Sequence, residues 1–294
     1  MKNLHKQKLT LQMKLSKPHF FNSTYTHQTM KPSEFNMDDL QLWLSAAIDA
    51  AQRGGKVLQE WVGKFSVREK SRSNLVTEAD EASQLAIVES LRRHFPNHGF
   101  LGEENLNDRT PGTEAFWIID PLDGTTNYVH GFPYYCVSIA LSVGGRIVVG
   151  VIYDPTRNET FSAVLGQGAF RNGLPVQTSG ETEMQSAMAI ASLPVATDPE
   201  NPAVRRFLQA LPRLQTVQRT GSAALNLAYV ACGRIDAFWS SSLYAWDVAA
   251  GALLVCEAGG SITTLTGDEF SVFVPSLLAA STATLRQELV TAFR

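Results

Sequence analysis

The chain predicts a layered α/β fold in which helices cover the faces of sheets. Three observations lead there. At 294 residues, 44% hydrophobic and 18% charged, it can bury one large domain or two modest ones packed together, at about 100–200 residues each. Helix-like and strand-like segments follow one another through both halves. Two apolar runs flanking Gly144-Gly145 form the strongest hairpin signal in the chain.

In order, Leu40, Trp43, Leu44, Ala47, Ile48, Ala51, Leu58 and Trp61 recur at three- and four-residue spacing, predicting an amphipathic helix over 38–62 that Gly54-Gly55 should weaken. Thr77-Glu78-Ala79-Asp80 reads as a helix start, with Leu85, Val88 and Leu91 turned inward until Pro96 stops the helix. A short apolar run, 115–119, ends in Asp-Pro, and strands follow at 137–143 and 146–153. Beyond turn-rich sequence at Arg171-Asn172-Gly173 and Ser179-Gly180, strands are expected at 187–192, 235–239 and 271–274, and helices at 204–210, 223–231, 248–256 and 282–293. The organisation expected is a basic extension (1–37), an N-terminal α+β half carrying a metal site (38–180) and a C-terminal α/β half (181–294).

The net charge of −3 offers no general attraction to nucleic acid or to an anionic membrane, so neither partner is expected. Nor does any segment reach the ~18 consecutive apolar residues of a membrane span. Residues 1–37 stand apart: six lysines against one glutamate give +5, leaving −8 for the rest. Without an apolar core of ~7–15 residues this is no secretory signal, and it reads as a flexible extension, with an organelle-targeting peptide as the alternative. Cys136, Cys232 and Cys256, odd in number and widely spaced, suggest buried reduced thiols and a cytoplasmic protein.

The chemistry concentrates in Trp117-Ile118-Ile119-Asp120-Pro121-Leu122-Asp123-Gly124-Thr125-Thr126-Asn127. Pro121 restricts the backbone between two carboxylates and Gly124 allows a tight turn, so both acids can face one point. Amides of Gly124-Thr125-Thr126 at a helix start would make an anion site beside them. Acids next to an anion site are reconciled by hard divalent cations, since Mg²⁺ takes carboxylate oxygens together with substrate phosphate. Two unpaired carboxylates ~4 Å apart repel by roughly 4 kcal/mol at an effective dielectric near 20. The plainer reading, Asp120 as a turn residue and Asp123 as a helix cap, stays open for this motif alone. Two more acidic motifs bear on it: Gly102-Glu103-Glu104, otherwise a solvated pair, and Trp246-Asp247-Val248, where Asp247 could be only an N-cap.

Together these segments resemble the inositol monophosphatase family of magnesium-dependent, lithium-sensitive phosphatases. The resemblance rests on Asp120-Pro121-Leu122-Asp123-Gly124-Thr125-Thr126-Asn127-Tyr128 and on Trp246-Asp247-Val248-Ala249-Ala250-Gly251 running on to Glu257-Ala258-Gly259-Gly260. Between and before them lie Leu75 to Asp80, Gly102-Glu103-Glu104 and Gly221-Ser222-Ala223-Ala224-Leu225, and the likeness spans about residues 40–294. It implies a five-layer α/β/α/β/α sandwich, usually a homodimer, with two to three Mg²⁺ ions. Glu103, Asp120 and the Leu122 carbonyl match the ligands of the first ion. Asp120, Asp123 and Asp247 match those of the second, and Glu103 also matches a ligand of a weaker third.

Thr125 and Asp80 match the pair that orients the attacking water, so the implied catalytic set is Glu103, Thr125 and Asp80. The implied substrate-binding set is Asp123, Gly124, Thr125, Ala223, Ser240 and Asp247. His130 is read as structural. The implied reaction is hydrolysis of a small phosphorylated polyol, inositol-1-phosphate first, with fructose-1,6-bisphosphate and histidinol phosphate as rivals. Ser240, seven residues before Asp247, stands where inositol-selective members carry glutamate, which implies weaker selectivity because a neutral bond is about half as strong as a charge-assisted one. The alternative of another class is a binding role in transcription, since some bacterial relatives bind that machinery.

Overall fold

The computed structural model describes residues 35–71, 74–109, 114–194, 198–274 and 276–294; most of the 1–37 extension lies outside them. The first helix, α1 (Met37–Trp61), is capped by Asn36, whose side chain accepts from the Asp38 amide. A two-stranded ribbon follows, β1 (Val67–Ser71) against β2 (Asn74–Thr77). Helix α2 (Glu78–His94) starts at the expected residues: the Thr77 side chain and Asp80 form a reciprocal capping box, a device worth about 1 kcal/mol.

Gly54-Gly55 does not interrupt α1; both glycines are buried where neighbouring side chains approach the helix backbone closely. A Cβ on Gly54 would lie 2.7 Å from Ile87 Cδ1, and one on Gly55 would lie 2.5 Å from the Tyr153 ring. The inward face of α2 is Asp80, Ser83, Ile87 and Leu91, with Val88 beside them. Leu85, expected inward, is 60% exposed, because it sits between the 80-83-87-91 spacing that meets α1.

The strands β3 (Gly99–Gly102), β4 (Leu106–Asn107), β5 (Ala115–Asp123), β6 (Cys136–Val143), β7 (Arg146–Asp154), β8 (Glu159–Val164), β9 (Gly168–Arg171) and β10 (Leu174–Val176) make one sheet in the order 10-9-8-7-6-5-3-4. Short helix α3 (Thr125–Val129) follows β5. The Gly144-Gly145 hairpin forms as expected, pairing Val143 with Arg146. From β6 to β10, however, five strands run consecutively and antiparallel, so helices and strands do not alternate through this half. Polar residues in β8 and the brevity of β9 and β10 hid these strands from periodicity.

The second sheet is built from β11 (Met188–Ala191), β12 (Thr216–Gln218), β13 (Ala237–Ser240), β14 (Ser261–Thr263) and β15 (Leu277–Ala280) in the order 12-11-13-15-14. Helices α4 (Pro202–Ala210) and α5 (Ala223–Ala231) carry the crossovers between β11, β12 and β13, which are parallel, and α6 (Ala245–Glu257) and α7 (Ala283–Ala292) follow. The strand expected at 271–274 is a turn; the pairing strand is β15, whose four residues are all buried between β13 and β14. Leu-Leu-Ala-Ala has no period-2 pattern, so tertiary burial decided its state.

Five layers result. Helices α1 and α2 cover one face of the large sheet around Leu58, Ile87, Trp117 and Val151. Helices α5 and α6 fill the space between its other face and the second sheet, where Ile118, Leu227, Leu254, Phe238 and Leu277 share one core. On the far side α7 packs beside α4 and against the second sheet through Leu285 and Leu289. Of the cysteines only Cys136 is buried; Cys232 is half-buried and Cys256 exposed, and all three are free, so the buried-thiol expectation holds at one position.

Candidate metal centre

Residues three apart on an uninterrupted strand face opposite sides of the sheet. Asp120 and Asp123 nevertheless meet, because β5 carries a bulge: Asp120 pairs with Ser138 but Asp123 with Cys136, so three steps on β5 oppose two on β6. Pro121, which lacks an amide to offer the ladder, sits within the irregular stretch. The bulge turns both carboxylates toward α5 and α6. Asp247 arrives from the first turn of α6. One carboxylate oxygen of each of Asp120, Asp123 and Asp247 lies within 4.8 Å of the others.

Each acid also serves the backbone, but only Asp120 does so as the plainer reading expects, since neither Asp123 nor Asp247 occupies an N-cap position. Asp120 Oδ1 accepts from the Leu122 amide at 3.0 Å, a turn bond. Asp247 Oδ2 accepts from the Tyr244 amide at 2.6 Å. Asp123 does not cap α3, whose cap position is Gly124. It reaches instead to the start of α5, where its Oδ2 accepts from the Ser222 hydroxyl at 2.7 Å and the Ala224 amide at 2.6 Å. Gly124 holds φ at 97°, and a Cβ there would lie 2.9 Å from the Tyr134 carbonyl oxygen, so the position needs glycine.

No ion pair among the described residues involves these three acids. Burial, then the charges of Glu103, Asp123 and Asp247, holds the Asp120 carboxyl well above the usual carboxylate range. Asp247 is raised likewise, by enclosure first and then by Asp123. Burial raises Asp123 too, against the pull of its bonds from Ser222 and Ala224. A divalent oxygen-seeking cation fits this donor set, because converging carboxylates with no cationic side chain are what hard ions bind.

Glu103 lies outside the closest trio but near enough for its charge to act on both Asp120 and Asp247. Glu103, Gly124, Thr125 and Asp247 are all only partly buried, which puts the opening of the site on their side. Glu104 is buried, so the Glu103-Glu104 pair is not a solvated one. The Leu122 carbonyl accepts from Thr125 Oγ1 at 3.1 Å, and the same hydroxyl stands 3.3 Å from Asp80 Oδ1. Asp80 Oδ2 accepts from the Thr77 amide at 2.8 Å and the Thr77 hydroxyl at 2.7 Å. Burial nonetheless pushes the Asp80 carboxyl up to about 6, with the Glu104 charge adding to it.

Ala223 is buried at the first position of α5, next to the residues that hold Asp123. Ser240 is fully buried at the end of β13, with its Oγ near the Ser242 amide at 3.4 Å; the structure does not bring its hydroxyl to the opening. His130 is exposed at the end of α3. Thr77, Ser222 and the Ala224 amide join the site beyond the residues expected from sequence. Ser222 carries a usable signal, a serine between glycine and an apolar helix, which marks an N-cap. A second bracket joins in the same way: Asn127 Nδ2 donates to the carbonyls of Tyr134 and Thr220 at 2.7 and 2.8 Å, tying the α3 turn to the α5 approach.

Known proteins are similar to this chain over most of its length. The family model described as "Inositol monophosphatase family" matches residues 39–294. An inositol monophosphatase of Mesembryanthemum crystallinum is 38% identical over 264 residues, 86% of this chain and 96% of that protein. A Pseudomonas aeruginosa protein called Nus factor SuhB is 37% identical over 260 residues, 86% of this chain and 96% of that one. The crystal structure of extragenic suppressor protein suhB from Bartonella henselae superposes with a TM-score of 0.83 at 34% identity, over 86% of this chain and 98% of that chain.

Proposed function

The chain belongs to the inositol monophosphatase family, and from that premise we propose that it hydrolyses a small phosphate monoester, inositol-1-phosphate foremost, with Mg²⁺. The observation that carries this reading is the meeting of Asp120, Asp123 and Asp247 within 4.8 Å. Glu103, Asp120 and the Leu122 carbonyl would hold one ion, and Asp120, Asp123 and Asp247 would hold a second, with Glu103 available to a weaker third. When bound, such cations neutralise the phosphate and acidify a water near neutral pH.

The chain's own residues do the rest. Thr125 Oγ1 directs its proton to the Leu122 carbonyl or to Asp80 Oδ1, leaving its lone pairs to accept from the attacking water. Asp80, half-ionised at about 6, stands behind it as proton acceptor above that pH. The amides of Gly124 and Thr125 face the phosphate oxygens, a placement Gly124's left-handed backbone permits. Ala223, small, bounds the leaving alcohol. With Ser240 buried and uncharged, no carboxylate at that position recognises sugar hydroxyls, which supports a broad preference among polyol phosphates. Phosphate monoesters hydrolyse so slowly in water that positioning and charge neutralisation suffice as the catalytic principle.

Lithium sensitivity, a homodimer, a cytoplasmic setting, the division at 180/181 and a dispensable extension at 1–37 belong to the same proposal. Among the described residues no helix is long and apolar enough to cross a membrane. A second reading, a binding role, is supported by the relative called Nus factor SuhB. A phosphate-release panel decides between them. Inositol-1-phosphate, fructose-1,6-bisphosphate, histidinol phosphate and 3′-phosphoadenosine 5′-phosphate are each offered with and without Mg²⁺. Release from inositol-1-phosphate only with Mg²⁺ is expected; no release from any ester rejects the enzyme reading.

A further inference from the structure

We propose that Ser222 is a positioning residue of the metal centre: its hydroxyl, locked by the cap of α5, orients Asp123 so that one oxygen is held by protein and the other is presented to a divalent cation. The inference rests on the functional reading above for the presence of the cation, and on geometry for the rest. Ser222 is fully buried. Its Oγ accepts from the Leu225 amide at 3.3 Å, the N-cap bond of α5. A hydroxyl has one proton, and with the cap facing a lone pair, that proton points at Asp123 Oδ2, 2.7 Å away.

Two more donors converge on the same oxygen, the Ala224 amide at 2.6 Å and the Cys136 thiol at 3.9 Å. Cys136 also lies 3.7 Å from Ser222 Oγ, closing a small buried ring of polar atoms behind the carboxylate. Saturating Oδ2 leaves Oδ1 as the cation's atom and removes the freedom of the carboxylate to rotate or to chelate with both oxygens. The orientation of a ligating carboxylate by its own hydrogen bonds is the usual means by which a metal site gains affinity, and loss of such a partner costs roughly 10–100-fold.

The test separates positioning from helix capping. Ser222→Ala removes both the cap and the bond to Asp123; Ser222→Gly removes the bond but keeps most of the cap, since glycine costs a helix start only a few tenths of a kcal/mol; Ser222→Thr keeps both. Mg²⁺ affinity is measured by calorimetry on the full chain, and melting temperature is measured in a chelator. About a tenfold weaker Mg²⁺ affinity is expected in Ser222→Ala and Ser222→Gly alike, with Ser222→Thr within twofold of the parent and Ser222→Gly melting close to it. Parental affinity in Ser222→Gly overturns the proposal and leaves Ser222 as a cap only. If Ser222→Ala does not fold, the glycine and threonine variants decide. A parent chain that binds Mg²⁺ but releases no phosphate rejects the function reading while leaving this inference to the affinity data; a parent chain that binds no Mg²⁺ overturns both.

Discussion

Asp154, at the end of β7, and Asp120, in β5, are buried aspartates of one eight-stranded sheet, but the chain surrounds them in opposite ways. Asp154 Oδ1 accepts from the Thr156 amide and hydroxyl at 2.8 and 2.7 Å and from the Arg157 amide at 3.1 Å; Arg157 Nη1 meets Oδ2 at 3.0 Å. Its charge is matched within four residues of sequence. Asp120 receives one backbone bond and is pressed against Asp123 and Asp247. The contrast teaches what burial of an acid means: a carboxylate completed by its own protein is a fastening, whereas several converging without a cationic side chain among the described residues leave a charge that a proton or a bound cation can answer.

The largest expected effect breaks the metal half of the comparison. Asp120→Asn should lower Mg²⁺-dependent phosphate release by about 10³-fold or more, in line with about 4 kcal/mol of lost transition-state stabilisation. The same variant should melt no lower than the parent in a chelator, because it removes a repelled buried charge. Steady-state assays and thermal melts check this, and retained turnover contradicts the assignment.

Next comes cation and pH. A folded-state carboxyl raised above its unfolded value binds protons more readily folded than unfolded, so stability falls as pH rises from about 3.8 through the raised values, to about 6 for Asp80 and beyond it for the buried trio. In a chelator the melting temperature should therefore decline from pH 5 to pH 8. Saturating Mg²⁺, at about 100 times its Kd, should add roughly 2.7 kcal/mol and should act most at the higher pH. A flat profile in the chelator would mean that the acids are already neutralised from within.

Asp154→Asn sharpens the other half. It should cost about 1–3 kcal/mol of stability, since Arg157 and the turn donors lose their anion, while the Mg²⁺ concentration for half-maximal activity stays within twofold of the parent; denaturant unfolding and a metal titration give the two numbers. The smallest expected effect lies between the two kinds of site. Thr77→Val removes one of two donors to Asp80 Oδ2. The acid limb of the pH–rate profile, expected near 6, should move upward by less than about one unit, since a hydrogen bond to the charged form favours that form. A limb that does not move would separate Asp80 from proton acceptance.

Much of this was legible because it is local. Thr77 and Asp80 are three residues apart and build their capping box within one turn, and Gly144-Gly145 dictates its own hairpin. The motif around Asp120 and the Trp246-Asp247 motif marked the acids only through their joint resemblance to a family; read singly, each left a turn or a cap open. Where structure departs from the sequence expectation, neighbours in space outweigh neighbours in sequence. Leu85 looked inward until the contact line with α1 excluded it. Residues 271–274 resembled a strand, but β13 and β14 offered their edges to Leu277–Ala280. Gly54-Gly55 looked like a flaw and proved to be the seat of Ile87 and Tyr153.

The sequence by itself determined the layered α/β class and most helix limits, because periodicity and capping are written in residue types a few positions apart. Only the tertiary structure decided that Asp120 and Asp123 face the same way, through a bulge whose register depends on β6. Only it brought Ser222 to Asp123 across 99 residues and took Ser240 out of solvent. Pairing register and burial are properties of what packs alongside a segment, and no stretch of chain carries that information about itself.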